Sequence, residues 1–269
     1  LTTLPDKQTL YKEKKTKPFW EFLKTFLFNM LNQHFKLLLI ISLGFLGLLI
    51  LSSSFQVRLN HLSRDEKKEG WKLLFDGKST KGWHVFQKQG VMNPQWKIEE
   101  GTLTLAGKGG GDICTDEEFE NFDLSLEWKI SPKGNSGIFF NVSEDTSYKA
   151  VWKTGPEMQI LDDEGHPDGK FPKHRAGANY DLSIPLVKSV RAVGEWNHVR
   201  ILVNQGNVSY YLNGQLTTKY TLWSPEWEKL VKESKFKDMP GYGQIRKGKI
   251  ALQDHGDQVW FRNIKIKPL

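Results

Sequence analysis

Two short stretches of this 269-residue chain carry the residue types that chemistry needs. GPEMQILDD (155–163) runs an apolar alternation into carboxylates, and IALQDHG (250–256) ends on an amide, an acid and an imidazole. Successive side chains of an extended strand point to opposite faces. Met158 and Ile160 therefore share a core-facing side, which leaves Glu157 and Gln159 on the other. By the same parity Ile250 and Leu252 point inward, and Ala251, Gln253 and His255 outward. A carboxyl, an imidazole and two carboxamides on one side of a sheet are the makings of an acid–base site, with Glu157 as base and His255 as acid, or both as metal ligands. Parity alone does not make them meet. The plainer alternative is a hydrogen-bonded network on a solvated sheet.

Other residues stand close to these in sequence. Asn135 and Ser136 lie between two glycines in GNSGIFF (134–140), where the backbone either approaches a ligand or forms a bulge. Asp162 falls where the strand ends and is read as a ligand or a turn-former. His174 and Arg175 are candidates to bind a ligand hydroxyl or carbonyl, against the plainer alternative of a solvated loop. Asp163, Glu164, His166 and Asp168, with Pro167 and Gly169, read as a loop that shapes the rim. Tyr180, Trp152 and Trp223 read as packing residues that could also offer a ring face to a ligand. GKGGGD (107–112) lacks the Lys-Ser/Thr of a phosphate loop. With no GxSxG, no HExxH and a single cysteine, Cys114, the chain has no signature of a serine hydrolase, a zinc protease or a disulfide framework.

The elements that must position these residues are strands. FDLSLEWKI (122–130) alternates cleanly, and WNHVRILV (196–203) and VSYYLNG (208–214) flank a turn at Gln205-Gly206-Asn207. Asn213-Gly214 is a second turn signal, WKIEEGTLTLAG (96–107) reads as another hairpin, and VWFRNIKIKP (259–268) closes the chain. The one helical segment is SPEWEKLVKESKF (224–236), with Ser224 as its cap, Pro225 at its first position and Glu226 and Glu228 at its positive end. Many short strands, glycine-rich turns and one helix specify an all-β sandwich.

The N-terminus has a different composition. LLLIISLGFLGLLIL (37–51) is too short for an ordinary membrane span of about 20 residues and suits the core of a signal peptide. Met30 starts that segment and Ser52, Ser53 and Ser54 follow it, so residues 1–29 read as an over-long gene start and 30–54 as a leader. A membrane anchor left uncleaved is the alternative. Residues 55–69 read as a linker, and the functional domain as 70–269. The chain is exported on this reading, to the periplasm or beyond, and meets a membrane only through its leader. The formal charge of +7 is concentrated at the start, where residues 1–36 hold seven Lys against three acids. What remains has no arginine-rich stripe and gives no nucleic-acid footprint.

Seven blocks together resemble the 3-keto-disaccharide hydrolase family: GWKLLFDGKSTKGW (70–83), GNSGIFF (134–140), GPEMQILDD (155–163), HRAGANYDL (174–182), GEWNHVRI (194–201), YLNG (211–214) and ALQDHG with VWFRNIKI (251–266). The resemblance implies a concanavalin-like jelly roll of two antiparallel sheets with a short helix near 224–236. It also implies cleavage of glycosides whose sugar has been oxidised at C3. Such a ketone acidifies the C2 hydrogen, so an enolate can expel the group on C1 and water can then add. That chemistry asks for a base near C2, an acid for the leaving oxygen and a stabiliser for the enolate. A divalent metal or a set of amide and cationic donors would serve the last, and the sequence establishes neither. The substrate contacts expected are Gln159, Asn135, Asp162, His174, Arg175 and Gln253. The alternatives are a non-catalytic carbohydrate-binding module, and a conventional glycosidase pairing Glu157 with Asp162 or Asp163.

Overall fold

The computed structural model describes residues 18–52 and 58–269, with side chains for 18–38 and 58–269. It divides into two units, residues 1–57 and 58–269. The first contributes a helix, α1 (Phe19–Ser52). Residues 1–17, the apolar side chains beyond residue 38 and the serines expected at the cleavage point, Ser53 and Ser54, lie outside the described residues. Among the described residues, no helix is long and apolar enough to cross a membrane.

The second unit begins earlier than the sequence suggests. Residues 58–69 are part of the domain and not a linker. Asn60 and Asn263 exchange backbone-to-side-chain hydrogen bonds of 2.7 and 2.8 Å, and Asn60 also donates to the Gly101 carbonyl. A capping box between Ser63 and Glu66 then starts a short helix, α2 (Arg64–Lys68). Polar composition suggested a linker because these residues are held by hydrogen bonds, which leave no hydrophobic pattern.

Thirteen strands follow. They are β1 (Lys72–Leu73), β2 (Trp83–Val85), β3 (Trp96–Glu99), β4 (Thr102–Leu105), β5 (Ile113–Thr115), β6 (Phe122–Ile130) and β7 (Asn135–Val142). After them come β8 (Glu157–Leu161), β9 (Asn197–Asn204), β10 (Asn207–Leu212), β11 (Gln215–Thr221), β12 (Lys249–Leu252) and β13 (Val259–Pro268). One helix, α3 (Pro225–Lys232), stops four residues short of the expected Phe236. Its Ser224 cap accepts from Trp227 N–H as expected.

The larger sheet runs β11-β10-β9-β6-β13-β4-β3, with β1 added on β13, and the smaller runs β2-β5-β12-β7-β8. All pairs are antiparallel. Three hairpins turn through residue pairs with positive φ: Glu100-Gly101 (49° and 74°), Gln205-Gly206 (50° and 80°) and Asn213-Gly214 (51° and 80°). That geometry matches the natural strand twist, and a glycine accepts the second position without strain. Between the sheets, Ile113, Ile138, Phe140, Met158, Ile160, Ile250 and Leu252 of the smaller pack on Leu124, Leu126, Trp128, Ile201, Tyr210 and Phe261 of the larger. The fold is the all-β sandwich read from the alternation, with the two antiparallel sheets of the jelly roll that the resemblance implied.

Candidate active site

The outer face of the smaller sheet is read directly from its register. His84 pairs with Cys114, Cys114 with Ala251, Ala251 with Phe139, and Phe139 with Glu157, which sets these five side chains in one cross-strand row. The middle of the row is sealed by the 3-10 turn Val151–Lys153, where Val151 packs with Cys114, Phe139, Val142 and Ala251. At the sealed end His84 is fully buried, with its Nε2 3.0 Å from Glu144 and its other nitrogen on Asp116. Only the Glu157 end opens. Two residues further along, Gly137 pairs with Gln159, and the Gln253 N–H donates to the Gly137 carbonyl at 3.0 Å.

At that open end lies a cavity of about 370 Å³, lined by Asn135, Trp152, Glu157, Gln159, Tyr180, Lys235, Phe236, Met239, Gln253 and His255. Its volume falls in the roughly 300–1,000 Å³ range of small-molecule sites. Strand parity thus brings together five of the residues named from sequence: Glu157, Gln159, Asn135, Gln253 and His255. They come from two strands, β7 and β8, and from the turn after β12, and only the sheet order makes them neighbours.

Glu157 is the one carboxyl of the lining. Its side chain is 6 % exposed, and no hydrogen bond reaches its carboxyl among the described residues. Burial without a partner disfavours the charge and pushes its pKa up to about 8. The Lys235 ammonium pulls the other way, and Asp112 and Asp168 add to the rise. With its pKa above neutrality Glu157 is protonated at rest, which corrects the role read from the sequence: burial makes it an acid and not the base. Space for it comes from Gly137, where a Cβ would stand 2.1 Å from Glu157 Oε1.

Beside it the carboxamides are wired in series. Gln159 Nε2 donates to Asn135 Oδ1 at 3.2 Å, and Asn135 Nδ2 lies 3.5 Å from His255 Nε2. Gln159 is 1 % exposed, yet its Oε1 has no partner, nor does Gln253 Oε1. Unpartnered acceptors beside a cavity are placed to receive ligand hydroxyls. His255 is exposed, and its Nδ1 lies 4.0 Å from Asp257, whose carboxylate accepts the Asn135 N–H at 3.0 Å.

Three expected contacts are elsewhere. Asp162 spends its carboxylate on the backbone N–H groups of Lys133 (2.7 Å), Gly165 (2.9 Å) and Glu164 (3.3 Å), which makes it the turn-former. It faces a separate cavity with Asp163 and Glu164. Arg175 is exposed and donates to the Gly169 carbonyl at 2.9 Å. His174 lies behind Tyr180, with ring centres 4.4 Å apart, and bonds to Asp181 at 3.2 Å. Neither His174 nor Arg175 lines the cavity. Trp223 also stays outside, donating to the Gly243 carbonyl under Arg246, whereas Trp152 forms part of the rim.

Trp152 and Tyr180 were read from the sequence as packing residues that could offer a ring face, and the remaining members of the lining had no sequence signal. Tyr180 N–H bonds the Glu157 carbonyl at 3.1 Å, so the segment around it lies along the edge of β8 and sets the ring beside Glu157. Lys235, Phe236 and Met239 follow α3 in an irregular segment, where no periodicity announces a wall. Lys235 Nζ stands 3.9 Å over the Tyr180 ring and is the one cation of the lining.

Proximity also nominates a metal position. His166, His255 and Asp257 bring ligand atoms within 4.8 Å of one another, the one such trio among the described residues. His166 Nδ1, however, accepts the Asp168 N–H at 3.1 Å. Its lone pair is thereby used, and the proton of the neutral ring sits on Nε2. As hydrogen-bonded here, His166 has no nitrogen free to ligate, so the trio does not fit a metal.

Residues 70–267 match the family described as the 3-keto-alpha-glucoside-1,2-lyase-like domain. A 3-keto-disaccharide hydrolase of Bacteroides thetaiotaomicron is 35% identical over 230 residues, which is 75% of this chain and 79% of that protein. The solved structure of a Parabacteroides distasonis protein described as a glycosyl hydrolase superposes with a TM-score of 0.74 at 36% identity, covering 79% of this chain and all of that one. A second P. distasonis structure described in the same words gives 0.59 at 29% identity, over 74% and 99% of the two chains.

Proposed function

Because the chain belongs to the family of 3-keto-alpha-glucoside-1,2-lyase-like domains, we propose that it is an exported hydrolase that cleaves glycosides carrying a ketone at C3, by elimination followed by hydration. The observation that carries the mechanism is the composition of the cavity. Its lining holds one carboxyl, Glu157, and one imidazole, His255. A conventional glycosidase needs two carboxyls about 5–10 Å apart across the scissile bond. Asp162 and Asp163, the partners that reading required, line the other cavity.

Elimination uses what is present. His255 takes the proton from C2, and the electron pair moves to the ketone oxygen as an enolate. Collapse of the enolate forms the C1–C2 double bond and breaks the C1–O bond, and Glu157 gives its proton to the leaving oxygen. Water then adds to C1 as Glu157 takes a proton back, and the proton held on His255 returns to C2. Both residues end as they began, and the net change is glycoside plus water to 3-keto sugar plus alcohol. Lys235 and the side-chain amide N–H of Gln253 are the donors for the enolate oxygen. Gln159 and Asn135 hold sugar hydroxyls, and Trp152 and Tyr180 border the ring.

The test is to offer a 3-keto-glucoside and its parent glucoside side by side. Cleavage of the keto form alone is expected, with a transient enone absorbance. Cleavage of the parent alone overturns the reading, and binding of either without turnover makes the domain a binding module. Export rests on the apolar run at 37–51 and the serines after it. N-terminal sequencing of the protein recovered outside the cytoplasm is expected to begin after residue 51, and a start before residue 45 overturns the leader.

A further inference from the structure

The crowded half of the loop after β8, DEGHPDG (163–169), looked like rim. The tertiary structure carries one of its residues to the chemistry. His166 stacks edge-on against His255 with ring centres 6.1 Å apart, and both rings come within 4.8 Å of the Asp257 carboxylate. Two imidazoles therefore flank one carboxylate, and each ring has a hydrogen bond that decides where its proton sits. The Asp168 N–H occupies His166 Nδ1, which leaves an N–H at Nε2. Asn135 Nδ2 faces His255 Nε2 at 3.5 Å, a contact at the limit of a hydrogen bond that an incoming substrate can replace, so the lone pair stays on Nε2 and the proton of the neutral ring on Nδ1, the nitrogen 4.0 Å from Asp257. The carboxylate is itself held by the Asn135 N–H. Both rings thus offer donors toward Asp257, at separations that one bridging water or a small rotation closes.

We propose that His166 is a positioning residue for His255, acting through Asp257 in a His166–Asp257–His255 relay. The inference rests on the elimination reading above, in which His255 is the base. Asp257 orients the His255 ring and stabilises the imidazolium formed when the C2 proton arrives. His166 shares the Asp257 charge, so that the carboxylate orients His255 without holding its proton too tightly. The other charged groups around the relay are Glu157 and Lys235 across the cavity, Asp168 behind His166, and Asp254 and Lys108 beside Gly256.

The experiment measures kcat and KM against pH on a 3-keto-glucoside for the full chain and for His166→Ala, His166→Gln, Asp257→Asn and His255→Ala. His166→Ala is expected to lower kcat roughly tenfold, to leave KM unchanged, and to move the acidic limb of the profile to higher pH, because an unshared Asp257 raises the basicity of His255. His166→Gln, which can put an N–H where the Nε2–H stands, is expected to restore most of both. A purely structural loop residue would reduce the active fraction and leave the limb in place, which overturns the relay. So does a stoichiometric divalent ion in the purified protein that is lost in both His166→Ala and Asp257→Asn, since the trio would then be a metal site. If His255→Ala retains wild-type turnover, the base assignment fails; if it is inactive while both His166 variants match wild type, only the relay fails.

Discussion

Glu157 leans into a space that exists because residue 137 has no side chain. A Cβ at Gly137 would meet Oε1 of Glu157 at 2.1 Å, its Cδ at 2.8 Å and its Cγ at 3.0 Å. Gly137 does not have positive φ, so its freedom of backbone is not what matters. The strand pair β7–β8 has traded a side chain for room in which a carboxyl can lie flat, dry and unpaired. Gly137→Ala is expected to fold, with a stability loss of about 1–3 kcal/mol from overpacking, and to lose turnover by two orders of magnitude or more as the carboxyl is pushed out of place. Thermal melting beside kcat would check it, and wild-type turnover in a folded variant would sink the argument.

Glu157 also predicts a pH dependence of stability. Its pKa rises from 4.5 to about 8 on folding, so the folded chain holds a proton that the unfolded chain releases. Stability is then unaffected below about pH 4.5, falls as pH rises through the window between the two values, and levels off above about pH 8. The full loss is on the order of 5 kcal/mol. Glu157→Gln removes this slope and is expected to lose turnover by at least a hundredfold. Denaturant titrations at pH 5 and 8.5 on both proteins measure the difference. Parallel slopes would mean that Glu157 is ionised in the folded state.

Lys235 gives the sign of an electrostatic test. Its positive charge opposes the rise of the Glu157 pKa. Lys235→Gln is therefore expected to move the alkaline limb of the kcat profile to higher pH, since the acid keeps its proton longer. It is also expected to lower kcat by roughly tenfold through loss of an enolate donor. A limb that moves down, or a variant altered only in KM, would remove Lys235 from the chemistry.

Asp162 separates position from role. Three backbone N–H groups depend on its carboxylate, in the turn 162–165 and at Lys133. Asp162→Ala is expected to cost about 2–4 kcal/mol in stability, because buried donors are left unpaired, while kcat per folded molecule changes less than threefold. Chemical denaturation and active-site-normalised rates distinguish this from the substrate contact read from the sequence. A large fall in kcat at full stability would restore that contact.

Much of the architecture was legible in the sequence because its causes are local. Period-2 alternation in 122–130, 157–161 and 250–252 reports which side chains face the space between the sheets, and turn pairs such as Gln205-Gly206 report a backbone geometry that few residues adopt. These two rules alone placed Glu157 and Gln159 outside the core, and the family blocks named the chemistry they would serve. Parity says which face a residue occupies, but the identity of the neighbouring strand decides what it meets. That Gly137 lies between Gln159 and Gln253 follows from the order β12-β7-β8, which no segment encodes by itself. Likewise Asp162 and His174 sit in blocks beside the site residues, yet one is consumed by backbone amides and the other is set behind Tyr180. Lys235 and His166 reached the site from segments without periodicity, because a loop is positioned by long-range hydrogen bonds whose partners are distant in the chain. The sequence by itself determined the sandwich, its hairpins and the outward face of two strands, since those depend on residues a few positions apart. The tertiary structure decided which carboxyl stays dry, which imidazole approaches it and which acids only hold the loops, since those depend on strand order and burial.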